Sequence, residues 1–337
     1  MRVVVVMPSG PKDAYAPIAD AGHELVFGTA ENSRALRPSD DDLIPLARGA
    51  NCLVFNEGSR YAMESLPELT TVVATGLGFD KIDVRAATEL GIVVCNTPTP
   101  LQSAAVAEAT FTLMLSVAKR LNGKTSRLRA GRWAEDHDDG ALIHGSTVGV
   151  VGLGRIGTLF ARMLAGWNVH LLVNTRTARP ELYAELNAEP VDLSTLLRNS
   201  DFVVLTVPLT EETRGFIDRE QLRSMKPTAA LINTSRGQVV DEGALCEAIN
   251  EGWLGGAGLD VFSREPLAAD SCLLALDPDR VVLTPHNLSS AEAARTARMQ
   301  TMIETVLTAM DGRLPDLAVN PEVLPHWRGS SVTQPEA

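Results

Sequence analysis

The chain has 337 residues, of which 45% are hydrophobic and 21% are charged, and its formal net charge is −12 at pH 7. This length and composition predict a two-domain globular enzyme and argue against a membrane protein, because no apolar run approaches the roughly 20 residues that span a bilayer. The negative charge argues against nucleic acid as a partner, so we expect a small-molecule partner. A cytoplasmic location is expected because the four cysteines are scattered.

Short β-branched runs recur through the first hundred residues, separated by stretches long enough for helices. They read "RVVVVM", "HELVF", "NCLVF", "TTVVAT" and "GIVVCN". This rhythm is typical of βαβ units, so it predicts a doubly wound parallel-sheet domain that ends near Asn96. The chain is then broken by Pro98 and Pro100, where we place the domain boundary.

A helix is predicted over residues 104–119, and its apolar residues cover every face rather than one stripe. Glu108 is the only charge in its first four turns. A helix that is apolar all round is buried all round. Two explanations stay open, a place in a domain core or cover from a second subunit.

A second series of strands follows the helix, and it predicts a six-stranded parallel sheet that binds a dinucleotide. The runs are "STVGVVG", "NVHLLVN", "DFVVLTVP", "AALINTS", "GAGLDVF" and "RVVLTPH". The chain is helical again after His286, and residues 326–337 read as a polar tail. Four scattered cysteines without a C-x-x-C pair predict neither a zinc site nor a disulfide framework.

The glycine motif "GLGRIG" follows the first strand of this series and opens a helix. In that context Gly152 is expected to make the tight turn, Gly154 to admit a pyrophosphate and Gly157 to let helix and strand pack closely. The amides of Arg155 and Ile156 are expected to face the phosphate at the positive end of the helix.

The next strand ends in Asn174, Thr175, Arg176 and Thr177, where an NAD site commonly carries an acid. Neutral donors and two cations, Arg176 and the nearby Arg179, favour the 2′-phosphate of NADP over the free ribose hydroxyl of NAD. We therefore predict NADP as the preferred cofactor, with NAD possible. The alternative is a loop whose arginine merely faces solvent.

Three later strands each end near an ionisable residue, in "NTSRG", "LDVFSREP" and "LTPH". Strand ends of a doubly wound sheet converge on the ligand crevice, so Arg236, Glu265 and His286 are candidates to meet there. Reduction of a 2-keto acid needs a cation for the carboxylate, an acid for the carbonyl oxygen and a partner that keeps this acid charged. Arginine, histidine and glutamate suit these roles in that order.

Several segments in order resemble the D-isomer-specific 2-hydroxyacid dehydrogenases: "ATGLGFDKID", "VAEATFTLML", "GLGRIG", "NTSRG", "GLDVFSREP" and "TPH". The resemblance implies a flavodoxin-like substrate domain over 1–98, completed by 290–325, a Rossmann dinucleotide-binding domain over 99–289, and a homodimer formed through the apolar helix. It also implies NAD(P)H-dependent reduction of a 2-keto acid to a D-2-hydroxy acid.

Residue roles follow from the same resemblance. Arg236, Glu265 and His286 take the catalytic positions, with Arg236 also binding substrate. The substrate loop falls on Gly76, Leu77 and Gly78. Further cofactor contacts are expected at Val207, Pro208, Thr234 and Asp260.

Alternatives and departures remain open at this stage. A cofactor-sensing binding protein resembling the family's corepressors, or a formate or phosphite dehydrogenase, would share the scaffold. Glu57 in "FNEGSR" and Asn287 after "TPH" depart from the family pattern. The acidic segment "WAEDHDDG" invites a metal, but we interpret it as a solvated loop because consecutive side chains cannot all point inward.

Overall fold

The computed structural model describes residues 1–8, 10–28, 38–133 and 139–330. The chain divides into two compact units, one formed by Met1–Gln102 with Ala291–Ala337 and the other by Ser103–Ser290. Each unit is built around its own parallel sheet.

The first unit contains the predicted five-stranded parallel sheet, in the order β2-β1-β3-β5-β7. Its strands are Arg2–Val5 (β1), Glu24–Phe27 (β2), Cys52–Val54 (β3), Thr71–Ala74 (β5) and Val93–Asn96 (β7). A two-stranded ribbon, Glu57–Gly58 (β4) with Lys81–Ile82 (β6), was not predicted from the sequence. Each of its strands has only two residues, too few for an alternating pattern to show.

The helices of the first unit are Ala16–Asp20 (α1), Asp40–Leu46 (α2), Arg60–Glu64 (α3), Val84–Glu89 (α4) and Glu292–Met310 (α12). The last of these lies far from the others in sequence, yet it fills one side of the sheet. Met302, Val306 and Ala309 of α12 are buried in the same cluster as Val3 and Val5 of β1.

The segment after α12 corrects the predicted polar tail. Trp327 is 3% exposed, and its indole Nε1 donates to the Thr70 carbonyl at 2.8 Å. The Arg328 amide donates to the Gly91 carbonyl. Residues 326–330 therefore pack against the first unit, because one large aromatic side chain outweighs the polar residues around it. Residues 331–337 lie outside the described residues.

The second unit contains a seven-stranded parallel sheet in the order β10-β9-β8-β11-β12-β13-β14. Its strands are Thr147–Val151 (β8), His170–Asn174 (β9), Ala188–Pro190 (β10), Phe202–Leu205 (β11), Ala230–Asn233 (β12), Gly256–Leu259 (β13) and Val281–Leu283 (β14). Six strands were predicted. The seventh, β10, is a short edge strand that ends in proline, so its sequence carries no strand signal.

The helices assigned to this part of the chain include the long helix that enters it from the first unit. They are Pro100–Ala118 (α5), Leu121–Arg129 (α6), Arg155–Met163 (α7), Pro180–Leu186 (α8), Leu193–Asn199 (α9), Arg219–Ser224 (α10) and Glu242–Asn250 (α11). The order of strands reverses between β8 and β11, which places a crevice at their carboxyl ends.

Helix α5 is long and apolar enough to meet the criteria for a membrane span, which the sequence analysis had not recognised. However, 56% of its most apolar window is buried inside the protein. Leu113 and Met114 lie in the core of the second unit, where Phe111 also contacts Trp167 edge-to-face. These contacts are typical of a core helix.

A disulfide between Cys246 and Cys272 contradicts the expectation that no disulfide would form. It joins α11 to the 3-10 helix Cys272–Ala275. The two cysteines are 26 residues apart, and only the fold brings them together, so their spacing gave no signal. Cys52 and Cys95 are buried free thiols in the first unit.

Candidate active site

The glycine loop lies between β8 and α7, at the reversal of strand order. Gly152 has φ +93°, and a Cβ there would approach Val207 to 2.9 Å. A Cβ on Gly157 would come within 2.2 Å of the Gly152 carbonyl oxygen, whereas one on Gly154 would meet open space. The loop is therefore tightly packed at Gly152 and Gly157, and it has open space at Gly154, where an anion would lie.

The first amides of α7 border this open space. Gly154 occupies the N-cap position without a side-chain cap, so the amides of Arg155 and Ile156 have no partner within the helix. A helix start with uncapped amides attracts anionic groups through its positive end. The geometry of this loop fits the diphosphate of a dinucleotide.

The segment after β9 divides into engaged and exposed groups. Asn174 donates its side-chain amide to the Val191 carbonyl, and the Thr175 hydroxyl lies 2.6 Å from the Tyr183 hydroxyl. Thr177 is exposed, and its carbonyl accepts from Thr175. The Arg176 side chain is 87% exposed, with Glu212 Oε2 4.0 Å from its guanidinium.

Arg179, the second cation after β9, contacts the backbone of the chain. Its Nη1 donates to the Leu153 carbonyl at 2.8 Å, so it ties the segment after β9 to the glycine loop. Two other predicted cofactor residues, Val207 and Pro208, follow β11 beside the loop, and the Pro208 carbonyl accepts from Thr213.

His286 and Glu265 lie against each other. The ring Nδ1 of His286 is 2.8 Å from Glu265 Oε1 and 2.9 Å from Oε2. Glu265 Oε1 also accepts from the Phe262 amide. The side chains are 30% and 15% exposed, so the pair is partly shielded from water.

Arg236 follows β12 in a turn that packs on the loop carrying Glu265. Its Nη1 donates to the Ser235 carbonyl at 2.7 Å, and the Asn233 side chain donates to the Arg236 carbonyl. The next residue, Gly237, would place a Cβ 1.9 Å from the carbonyl carbon of Phe262. Only glycine therefore allows the Arg236 turn and the Glu265 loop to touch.

Two further predicted residues lie at neighbouring strand ends. Thr234 is hydrogen-bonded to Thr110 of α5, with 2.6 Å between the hydroxyl oxygens. Asp260 is buried after β13, where Oδ1 accepts from the Thr284 hydroxyl and from the amides of Asn287 and Leu288.

The predicted substrate loop of the first unit follows β5. The Gly76 amide donates to the Thr97 hydroxyl, so it is already engaged. The amides of Leu77 and Gly78 meet no acceptor among the described residues. Within this loop, the available anion-binding donors are therefore those two amides, with Thr97 as the support that sequence reasoning missed.

Glu57 lies in β4, where Lys81 of β6 approaches its Oε1 to 3.3 Å. This ion pair partly neutralises the carboxylate that departs from the family pattern. No group of three or more potential metal ligands occurs in the described part of the chain. Of the acidic segment considered above, Glu135, Asp136, His137 and Asp138 lie outside that part.

Comparison with known proteins agrees with this geometry. A family model described as the NAD binding domain of D-isomer specific 2-hydroxyacid dehydrogenases matches residues 111–287. The chain is 40% identical over 296 residues to a glyoxylate reductase from Thermococcus onnurineus, covering 85% of this chain and 87% of the relative. It is 42% identical over 272 residues to a glyoxylate reductase from Pyrococcus horikoshii, covering 79% and 80%.

Solved structures give the same picture. A Thermus thermophilus protein shares 33% identity with a TM-score of 0.84, covering 95% of this chain and all of that one. The apo-structure of D-lactate dehydrogenase from Escherichia coli has 28% identity and a TM-score of 0.77, with coverage of 95% and 100%.

Proposed function

Because the chain belongs to the family of D-isomer-specific 2-hydroxyacid dehydrogenases, we propose that it reduces glyoxylate and closely related small 2-keto acids. Membership makes it an oxidoreductase that reversibly interconverts a 2-keto acid and a D-2-hydroxy acid with a nicotinamide cofactor. The narrower substrate class is supported by identities of about 40% to glyoxylate reductases over most of the chain. No feature of the described residues favours the alternatives of a binding protein or a formate or phosphite dehydrogenase.

The residues around the glycine loop fit a dinucleotide, which when bound supplies or accepts the hydride. The space above Gly154 and the uncapped start of α7 would hold the diphosphate. Asp260, at the end of β13, is proposed to contact the nicotinamide carboxamide.

The observation that carries the chemical proposal is the contact between His286 and Glu265. With Nδ1 turned toward the carboxylate, Nε2 is the ring nitrogen proposed to give a proton to the substrate carbonyl oxygen. Glu265 is proposed to hold the ring in this orientation through its contact with Nδ1. Arg236 is proposed to hold the substrate carboxylate through the paired donors of its guanidinium, and the amides of Leu77 and Gly78 are proposed as further substrate contacts.

A substrate panel tests the activity. Purified protein should oxidise NADPH with glyoxylate, hydroxypyruvate or phenylpyruvate, and the reverse reaction should consume the D-enantiomer of the matching hydroxy acid. Absence of turnover with every 2-keto acid would contradict the assignment, and turnover only with phenylpyruvate would contradict the narrower substrate class.

We also propose that NADP is preferred over NAD. Residues 174–177 carry no carboxylate to repel a 2′-phosphate, and the exposed Arg176 can reach one. A charge-assisted hydrogen bond contributes about 1.5–3 kcal/mol, which corresponds to roughly 10- to 100-fold in affinity.

The cofactor preference is tested by the Michaelis constants for NADPH and NADH in the wild type and in Arg176→Ala. The substitution should raise the constant for NADPH and spare that for NADH. Arg198→Ala, which removes an exposed arginine from α9, is the matched control and should change neither. A wild type that prefers NADH would refute the proposal.

We propose a homodimer for the assembled protein. In the described chain, α6 and the segment after it expose apolar side chains that include Leu128, Leu142 and the 83% exposed Trp133. Light scattering at micromolar concentration should give twice the chain mass of 36.1 kDa. A monomer mass would refute this assembly.

A cytoplasmic location is likewise proposed, and the Cys246–Cys272 disulfide is the observation that opposes it, because disulfides persist mainly in oxidising compartments. Fractionation of the source cells, followed by detection of the protein, would decide between the compartments.

A further inference from the structure

Asp260 is the only residue of the predicted site whose carboxylate is almost fully buried, at 4% exposure, and its hydrogen bonds point toward the histidine turn. Oδ1 accepts from the Thr284 hydroxyl at 2.7 Å on one side of His286. It accepts from the amides of Asn287 and Leu288 at 3.1 and 3.2 Å on the other side. One oxygen atom therefore holds both flanks of His286.

The held residue is in a costly backbone conformation. His286 has φ +52°, in the left-handed region that residues other than glycine uncommonly adopt. Such conformations persist when the surroundings impose them, and they cluster at functional sites. Here the imposing contacts are the three hydrogen bonds to Asp260, together with the His286 amide bond to the Thr284 carbonyl.

The other oxygen of the same carboxylate is uncommitted. Oδ2 makes no hydrogen bond within the described residues, and it is not among their fully buried unpaired atoms. It therefore faces accessible space, where it can accept a bond from a ligand amide. Oδ1 of this carboxylate therefore binds the chain, whereas Oδ2 is available to a ligand.

We propose that Asp260 is a positioning residue for His286, holding the left-handed turn through Oδ1 so that the ring meets Glu265, while Oδ2 is kept for the cofactor carboxamide. The proposal rests on the proposed function for the chemistry of His286. Because Asn287 donates to Oδ1 through its backbone amide, the proposal also explains how its side chain can depart from the family pattern without loss of the turn.

The two oxygens can be separated by substitution. Asp260→Asn should keep its side-chain oxygen on the three donors and turn its NH₂ toward the cofactor. Asp260→Ala removes both functions. Asp192→Ala is the matched control, because Asp192 also accepts from three donors but caps the distant helix α9.

The first readout is the downfield proton resonance of the His286 Nδ1–H bonded to Glu265, measured by NMR in cofactor-free protein and assigned by its loss in His286→Gln. We expect it in the wild type, Asp260→Asn and Asp192→Ala, and we expect its loss in Asp260→Ala. A folded Asp260→Ala protein that keeps the resonance, or an Asp260→Asn protein that loses it, overturns the proposal. This readout needs no turnover, so a failure of the proposed activity would be seen separately.

The second readout is a double-mutant cycle on turnover. Asp260→Ala should lose about 100-fold in kcat, and it should lose clearly less when His286 is already alanine, because there is then no ring to position and only the contact to the cofactor carboxamide is lost. Equal losses in both backgrounds contradict the proposal. If Asp260→Ala does not fold, Thr284→Val removes one donor from the same oxygen; an unchanged His286 resonance and kcat in that variant also contradicts it.

Discussion

At the scale of the residue, the candidate site depends on two carboxylates with different tasks around one imidazole. Glu265 contacts the ring itself, at 2.8 Å from Nδ1, whereas Asp260 contacts only the backbone and side chain beside it. The consequences of removing the ring and of removing its charged neighbour therefore differ, and they can be measured separately.

Replacing the ring should affect turnover and leave cofactor binding intact. We expect His286→Ala to lose roughly 10²- to 10⁴-fold in kcat, the usual contribution of general acid catalysis. Fluorescence titration should give an unchanged dissociation constant for NADPH. Wild-type turnover in this variant would exclude His286 as the proton donor.

Replacing the neighbour should act on how the ring is held. Glu265→Gln keeps the shape of the side chain but exchanges one of the two oxygens that face Nδ1 for an NH₂ group, so the contact with the ring is weakened. We expect kcat/KM for keto acid reduction to fall, but by less than in His286→Ala, where the ring itself is lost. An unchanged kcat/KM would show that the charged contact does not contribute to catalysis.

The sequence predicted which residues lie at the strand ends but not how each is held. Glu265 and His286 were recognised from their place after strands, since such ends converge in a parallel sheet. Their roles stay predictions. The bond from the Gly76 amide to Thr97 and the bond from Arg179 to Leu153 depend on backbone orientation, which residue types alone do not encode.

At the scale of the element, the close approach of two loops depends on Gly237. A Cβ at this position would meet the backbone of Phe262 and Ser263, which cannot move as a flexible side chain would. We expect Gly237→Ala to lower the free energy of unfolding by about 1–3 kcal/mol, as overpacking usually does, and to lower kcat as well.

A glycine in the adjoining helix provides the control for that substitution. Gly243 lies in α11, where an added Cβ would make only an ordinary contact of 3.4 Å with Asp241. Gly243→Ala should leave urea unfolding and kcat unchanged or slightly increase stability, because alanine favours helix. Equal losses in both variants would mean that the contact with Phe262 is not what requires glycine at position 237.

Strands with buried apolar runs were predicted, and short strands that are partly exposed were not. The five strands of the first unit and six of the second show the apolar runs typical of sheets covered on both faces. The ribbon β4–β6 and the edge strand β10 have two or three residues each, and tertiary pairing alone makes them strands.

At the scale of the whole molecule, the four cysteines should differ in reactivity. Burial raises the pKa of the Cys95 thiol to about 12, and burial with Cys95 nearby raises that of Cys52 further, so neither forms the reactive thiolate near pH 8. Iodoacetamide and mass spectrometry should find no alkylated cysteine in native protein, two in denatured protein and four after denaturation with reductant. Four without reductant would contradict the Cys246–Cys272 bond.

The return of α12 to the first sheet also affects the order in which the chain can fold during synthesis. The second unit is continuous from Ser103 to Ser290, so its strands leave the ribosome one after another and can pair without waiting for a distant segment. The first sheet is made earlier, yet the side of β1 that packs on Met302 and Val306 stays uncovered until about 200 further residues have been translated. During that interval the nascent chain exposes part of an apolar sheet that its own later segment will cover, and this is the period in which a chaperone would act on it.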